Sequence, residues 1–148
     1  MVTIKACNAM IKIALADDHP QVREIWNYIL SANTAFKVVA NCRNGQEAIA
    51  AASAHLPDVM MMDINMQPVN GIEATAVISK MHPQIKIIGM SIHADGVYVK
   101  RMLQAGAHGY ITKNADYHEV FEAIMLVNTG QYYICNEVQA KLPGLLTT

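Results

Sequence analysis

The sequence has almost no net charge: 11 Lys and Arg stand against 12 Asp and Glu, a formal charge of -1. That argues against a chain that grips nucleic acid through its own phosphate contacts, which calls for a basic face. Cysteine pairs are missing too. Cys7, Cys42 and Cys135 are odd in number, widely spaced and without a CxxC or Cys/His ligand pattern. This speaks against a disulfide framework or a zinc site and indicates free thiols in a reducing compartment. No apolar run approaches the roughly 18 residues of a membrane helix, and no charged start followed by a long apolar stretch marks a leader. Low-complexity segments and internal repeats are absent as well. The expectation left by these absences is a soluble cytoplasmic domain that does not engage membranes. Its 148 residues, 53% hydrophobic and 16% charged, make one ordinary globular core.

What is present is alternation. Five short apolar runs (11–16, 36–40, 59–62, 85–90 and 109–112) are separated by segments of helical period. The runs are nearly continuous in apolar character, as strands covered on both faces require. Between the first two, Val22, Ile25, Trp26, Ile29 and Leu30 recur at helical spacing behind Pro20, a residue tolerated in a first turn. Gly106 follows the fourth helical segment as a C-cap, and Gly45 and Gly71 lie near the starts of the second and third. Strict strand–helix alternation predicts an α/β fold, a parallel sheet with helices on both faces. The stretch 131–148 carries no sixth strong strand signal and reads as a tail or the start of a linker, with Pro143-Gly144 as punctuation.

In such a sheet, chemistry collects beyond the carboxyl ends of the strands. The first strand ends in Asp17-Asp18, the third in Asp63, the fourth in Ser91 and the fifth in Lys113. Each alone has an ordinary explanation, since an Asp after a strand is commonly a helix cap and a Lys a solvated charge. Together they suit magnesium-assisted phosphoryl transfer. Magnesium takes hard oxygen ligands, so Asp18 and Asp63 are expected to bind it directly, and Asp17 directly or through water. Asp63, central on the edge, is the candidate carboxylate nucleophile. Lys113 and Ser91 are candidate donors to a carboxylate or phosphoryl oxygen.

The segments Ile13-Ala14-Leu15-Ala16-Asp17-Asp18-His19-Pro20, Pro57-Asp58-Val59-Met60-Met61-Met62-Asp63-Ile64-Asn65-Met66 and Gly106-Ala107-His108-Gly109-Tyr110-Ile111-Thr112-Lys113 resemble bacterial two-component response regulator receivers. Asn70-Gly71-Ile72-Glu73-Ala74-Thr75 and Ser91-Ile92-His93-Ala94-Asp95 add a likeness to the LuxR/NarL/FixJ-type subfamily, whose members carry a helix-turn-helix output domain. The resemblance implies a flavodoxin-like (βα)5 single domain with strand order 2-1-3-4-5, an order for which receivers are themselves a standard example. It divides the chain into an N-terminal extension (1–10), the receiver (11–130) and a tail or linker (131–148). It implies a signalling domain, not an enzyme, in which Asp63 takes a phosphoryl group from a sensor histidine kinase with Mg2+ present. Asp17 and Asp18 match the acidic pair, Asn65 the position whose backbone carbonyl completes the metal shell, and Lys113 the motif lysine. Ser91 matches the switch hydroxyl and Tyr110 the switch aromatic, expected to turn inward on phosphorylation and repack the surface of the fourth helix, fifth strand and fifth helix. Asn65 and His93 flank the path of attacking water and are expected to tune dephosphorylation. A homodimer on phosphorylation, and DNA bound only through an output domain outside this chain, complete what the resemblance implies; a stand-alone receiver acting through protein contacts is the alternative.

One departure from the family pattern stands in the loop after Asp63, where Gln67 occupies the usual place of Pro and Pro68 follows. The competing enzyme reading, a magnesium-dependent phosphohydrolase of the haloacid-dehalogenase type, calls for a second Asp two residues after the nucleophile; Asn65 is there instead. No GxGxxG follows the first strand to suggest a dinucleotide site. His19, His55, His82, His108 and His118 lack metal-ligand spacing and read as structural or solvated.

Overall fold

All five residues of Val59-Met60-Met61-Met62-Asp63 are buried, which only a strand covered on both faces can achieve. The computed structural model describes residues 9–92 and 94–141 and makes this strand, β3 (Val59–Asp63), the centre of a parallel sheet. Around it run β1 (Ile11–Ala16), β2 (Phe36–Cys42), β4 (Lys86–Ser91), β5 (Gly109–Thr112) and a short β6 (Tyr133–Ile134), in the order β2-β1-β3-β4-β5-β6. Every pairing is parallel. The helices are α1 (Pro20–Ser31), α2 (Gly45–His55), α3 (Gly71–Met81), α4 (Gly96–Ala105), α5 (Tyr117–Asn128) and α6 (Asn136–Lys141). The sheet thus contains the expected order 2-1-3-4-5.

The order reverses direction at β1, and that reversal assigns the first four helices to faces. Right-handed crossovers put α1, which leads from β1 outward to β2, on the opposite face from α2, α3 and α4, which lead the other way. The latter three pack side by side, α2 on α3 and α3 on α4. Tyr28 and Ile29 of α1 share a cleft with Tyr117 and Phe121 of α5, so α5 covers the α1 face. Met60, Met61, Met62, Met90 and Met102 are all buried; unbranched thioethers fill the irregular space between sheet and helices. Local chemistry fixes the helix starts. Asn44 and Asp116 accept from the backbone N–H groups of Glu47 and Glu119, and Asn70 with Glu73 closes a reciprocal capping box. Gly106 ends α4 at φ 112°, a left-handed conformation in which a side chain would be strained.

The structure differs from the sequence expectation after residue 131. Two residues form β6: the Tyr133 N–H donates to the His108 carbonyl and the Cys135 N–H to the Tyr110 carbonyl, each at 3.0 Å. Helix α6 follows, with Ile134, Cys135 and Val138 buried. A two-residue strand has no periodicity to read; it exists because the open edge of β5 supplies its partners. Cys42 and Cys135 are free buried thiols, while Cys7 and Pro143-Gly144 lie outside the described residues. Among the described residues no helix is long and apolar enough to cross a membrane.

Candidate functional site

The strand ends converge as the alternation predicts. Asp17 and Asp63 stand at the carboxyl ends of adjacent β1 and β3, and both are buried, 2% and 1% exposed. Burying two carboxylates side by side is costly unless a cation compensates. Lys113, just past β5, supplies one: its Nζ donates to Asp17 Oδ2 at 3.0 Å and lies 3.3 Å from Asp63 Oδ2. The second contact lacks the alignment of a hydrogen bond, so the buried Oδ2 of Asp63 has charge compensation but no donor aimed at it. Its other oxygen, Oδ1, accepts from the Asn65 backbone N–H at 3.2 Å. Burial, and then the Asp17 carboxylate, push the Asp63 carboxyl up to about 6 against the pull of Lys113. Burial alone would lower the Lys113 ammonium, but Asp17 and Asp63 outweigh it and hold the group above its ordinary value.

Backbone contacts fix this geometry. The Ile64 N–H donates to the Met90 carbonyl at 3.0 Å and the Gly71 N–H to the Ile64 carbonyl at 2.9 Å, which folds the 64–70 loop back over the end of β3. Gly71 admits no side chain, because a Cβ there would lie 2.1 Å from the Asp63 carbonyl oxygen. The Gln67-Pro68 peptide in this loop is cis. The Lys113 N–H donates to the Ser91 carbonyl at 2.8 Å, so the lysine and the serine are set by one strand pairing. Beside the acids a cleft of about 610 Å³, lined among others by Asp18, Asn65, Gln67, Tyr98 and Arg101, opens the site to solvent.

Asp18 is more open, its side chain 40% exposed. Together Asp17, Asp18, His19 and Asp63 offer ligand atoms that all lie within 4.8 Å of one another. Three carboxylates with an unsatisfied buried oxygen among them suit a hard divalent cation of the magnesium type.

A family comparison decides what this acidic edge belongs to: residues 13–125 match the model of the response regulator receiver domain. The chain belongs to that family. The receiver is 39% identical over 132 residues to the transcriptional regulatory protein DegU of Brevibacillus brevis, covering 89% of this chain and 56% of that protein. It is 37% identical over 133 residues to the response regulator GacA of Pseudomonas syringae pv. syringae, covering 90% and 62%. The chain therefore spans about three fifths of the length of these curated relatives. Among solved structures, a two-component response regulator of the LuxR family from Aurantimonas sp. superposes with a TM-score of 0.85 at 29% identity, covering 89% of this chain and 94% of that one. The receiver domain of NarL from Mycobacterium tuberculosis superposes at 0.80 and 28% identity, covering 83% and 99%.

Of the expected site residues, the receiver brings Asp17, Asp18, Asp63 and Lys113 together, with Ser91 fully buried at the adjacent strand end. Asn65 is exposed on the loop beside them, and His93 lies outside the described residues. Tyr110, the expected switch aromatic, faces inward in this structure. Its ring is fully buried, against Gly89, whose bare Cα also leaves space for Met102. Its hydroxyl bonds with Ser91, and burial pushes it up to about 12.

Three participants went unread in the sequence. His19, expected to be structural or solvated, puts Nδ1 3.1 Å from Asp17 Oδ1 and 2.9 Å from Asp18 Oδ1; its place directly after the acidic pair was the available signal. Arg23 Nη1 donates to the Asp17 carbonyl at 2.6 Å, one helical turn beyond the N-cap. Gly71 was legible as a helix start but not as the residue that lets α3 touch Asp63.

Proposed function

We propose that the chain is a phosphorylation switch in which Asp63 accepts a phosphoryl group in a Mg2+-dependent reaction. The observation that carries this is Asp63 itself, a buried carboxylate with one oxygen lacking an aligned donor, set between Asp17 and Lys113. Asp18, Asp63 and the Asn65 backbone carbonyl would hold the metal, with Asp17 binding directly or through water. When bound, the ion supplies positive charge that offsets the acids and the developing phosphoryl charge. The chain's own residues do the rest. Asp63 attacks phosphorus, its O–P bond forming as the bond to the donor's imidazole nitrogen breaks. Lys113, already paired with both acids, turns a donor to the incoming phosphoryl oxygen.

Ser91 links this event to the surface. A hydroxyl donates once and accepts twice, so Ser91 can donate to the phosphoryl oxygen while accepting from Tyr110. That arrangement holds the Tyr110 ring inward and selects one packing of the α4–β5–α5 surface. Asn65 and His93 are the proposed determinants of phosphoryl lifetime, so exchanging them should change the half-life of the acyl phosphate while phosphorylation persists.

A sensor histidine kinase is the proposed phosphodonor, with phosphorylation-dependent homodimerisation in a cytoplasmic setting. Transcriptional control, through a DNA-binding output domain outside these 148 residues, is the proposed output, supported by the similarity to the transcriptional regulatory protein DegU. Intact-mass measurement after incubation with acetyl phosphate and magnesium tests the central step. Wild type should gain one phosphoryl group and Asp63→Asn none. Gain in both, or in neither, overturns the assignment.

A further inference from the structure

The C-terminal segment is held to the receiver by contacts that converge on β5. Ile134 pairs with Tyr110, and the Cys135 N–H donates to the Tyr110 carbonyl. Glu119 of α5 clasps the segment from the side, its Oε2 accepting from the Tyr133 hydroxyl at 2.7 Å and from the Asn136 N–H at 2.8 Å. One contact reaches the active-site end of the sheet. Thr112 Oγ1, in a residue only 1% exposed, donates to Glu137 Oε1 at 2.6 Å. Thr112 stands opposite Ser91 in the β4–β5 register and immediately before Lys113. A half-buried carboxylate of the last helix is therefore tied to the strand end that presents the lysine and faces the serine.

We propose that the Glu137–Thr112 hydrogen bond is a latch that fastens α6 to the active-site edge, and that phosphorylation of Asp63 weakens it. Glu137 is on this view a positioning residue. The coupling rests on the proposed phosphorylation of Asp63; the latch itself does not. A phosphoryl group draws Ser91 and Lys113 toward its oxygens, and Thr112, joined to one by the peptide chain and facing the other across the strand pairing, is displaced with them. A short bond to a charged acceptor tolerates little displacement. The new negative charge also disfavours a carboxylate held nearby. The segment released is the one that leads to residue 142 and beyond, so the state of the acid is reported to whatever follows.

Cys135 provides the readout, because it is fully buried beneath this segment and reacts only when the segment lifts. With Cys7→Ser and Cys42→Ala leaving it as the sole thiol, alkylation of the full chain is timed while intact mass records phosphoryl gain in the same sample. Without phosphodonor, Glu137→Ala and Thr112→Val should each speed labelling roughly tenfold, as loss of a hydrogen bond to a charged group implies. The double variant should be no faster than either single one. Glu137→Gln, which keeps an acceptor oxygen, should restore most of the protection. With acetyl phosphate and magnesium, the otherwise wild-type chain should label roughly tenfold faster, and Glu137→Ala should gain nothing more. Equal rates for Glu137→Ala and its parent overturn the latch. A parent that carries the phosphoryl group yet labels at its resting rate overturns the coupling. Absence of the phosphoryl mass refutes the assignment of Asp63 and with it the coupling, while the comparison made without phosphodonor still decides the latch.

Discussion

Replacing Asp63 by Asn should make the metal-free domain more stable at neutral pH. The Asp63 carboxyl is pushed from 3.8 to about 6, so between those values the folded chain holds a proton that the unfolded chain has released. Stability from this group is therefore present at low pH and lost as pH rises through about 6. At 1.36 kcal/mol per tenfold, the full loss is about 3 kcal/mol at pH 7.5. Asn fills nearly the same volume without the charge, and the shift to about 6 already includes the attraction of Lys113, so a gain of up to about 3 kcal/mol is expected. Urea denaturation in the presence of a chelator should show it as a midpoint shift on the order of 1 M. The gap should shrink toward zero as pH falls to about 4, and magnesium should narrow it at pH 7.5 by stabilising wild type selectively. A variant no more stable than wild type, or a gap that does not change with pH, would refute the claim that buried charge at Asp63 opposes folding.

Three further outcomes follow from packing and capping. Gly71→Ala places a methyl against the Asp63 carbonyl; it should cost about 1–3 kcal/mol and slow phosphoryl uptake, checked by urea denaturation and timed intact mass. Tyr110→Phe removes a buried hydroxyl bonded to Ser91 and should cost about 1 kcal/mol, whereas Tyr110→Ala leaves a cavity and should cost about 3–5 kcal/mol, both read by denaturation. Asn70→Ala opens the capping box of α3 and should cost about 1 kcal/mol. Equal stability of Asn70→Ala and wild type would show that the helix start is held by Gly71 packing alone.

The sequence alone determined the alternating strands, the parallel sheet and the edge on which Asp17, Asp18, Asp63, Ser91 and Lys113 meet. It could do so because burial on both faces writes continuous apolar runs, and because a parallel sheet puts all its strand ends on one side. Gly71 was legible near a helix start, while the capping role of Asn70 came from the structure. Only the tertiary structure decided the rest. The ionisation of Asp63 depends on how deeply it is buried and how close Asp17 and Lys113 come, quantities that no spacing encodes. Met102 packs onto β4 because Gly89, 13 residues earlier in the chain, has no side chain to meet it. β6 and α6 form because the edge of β5 and the side chains of Glu119 and Thr112 are there to bind them. A two-residue strand has no pattern of its own; its stability comes from partners distant in sequence.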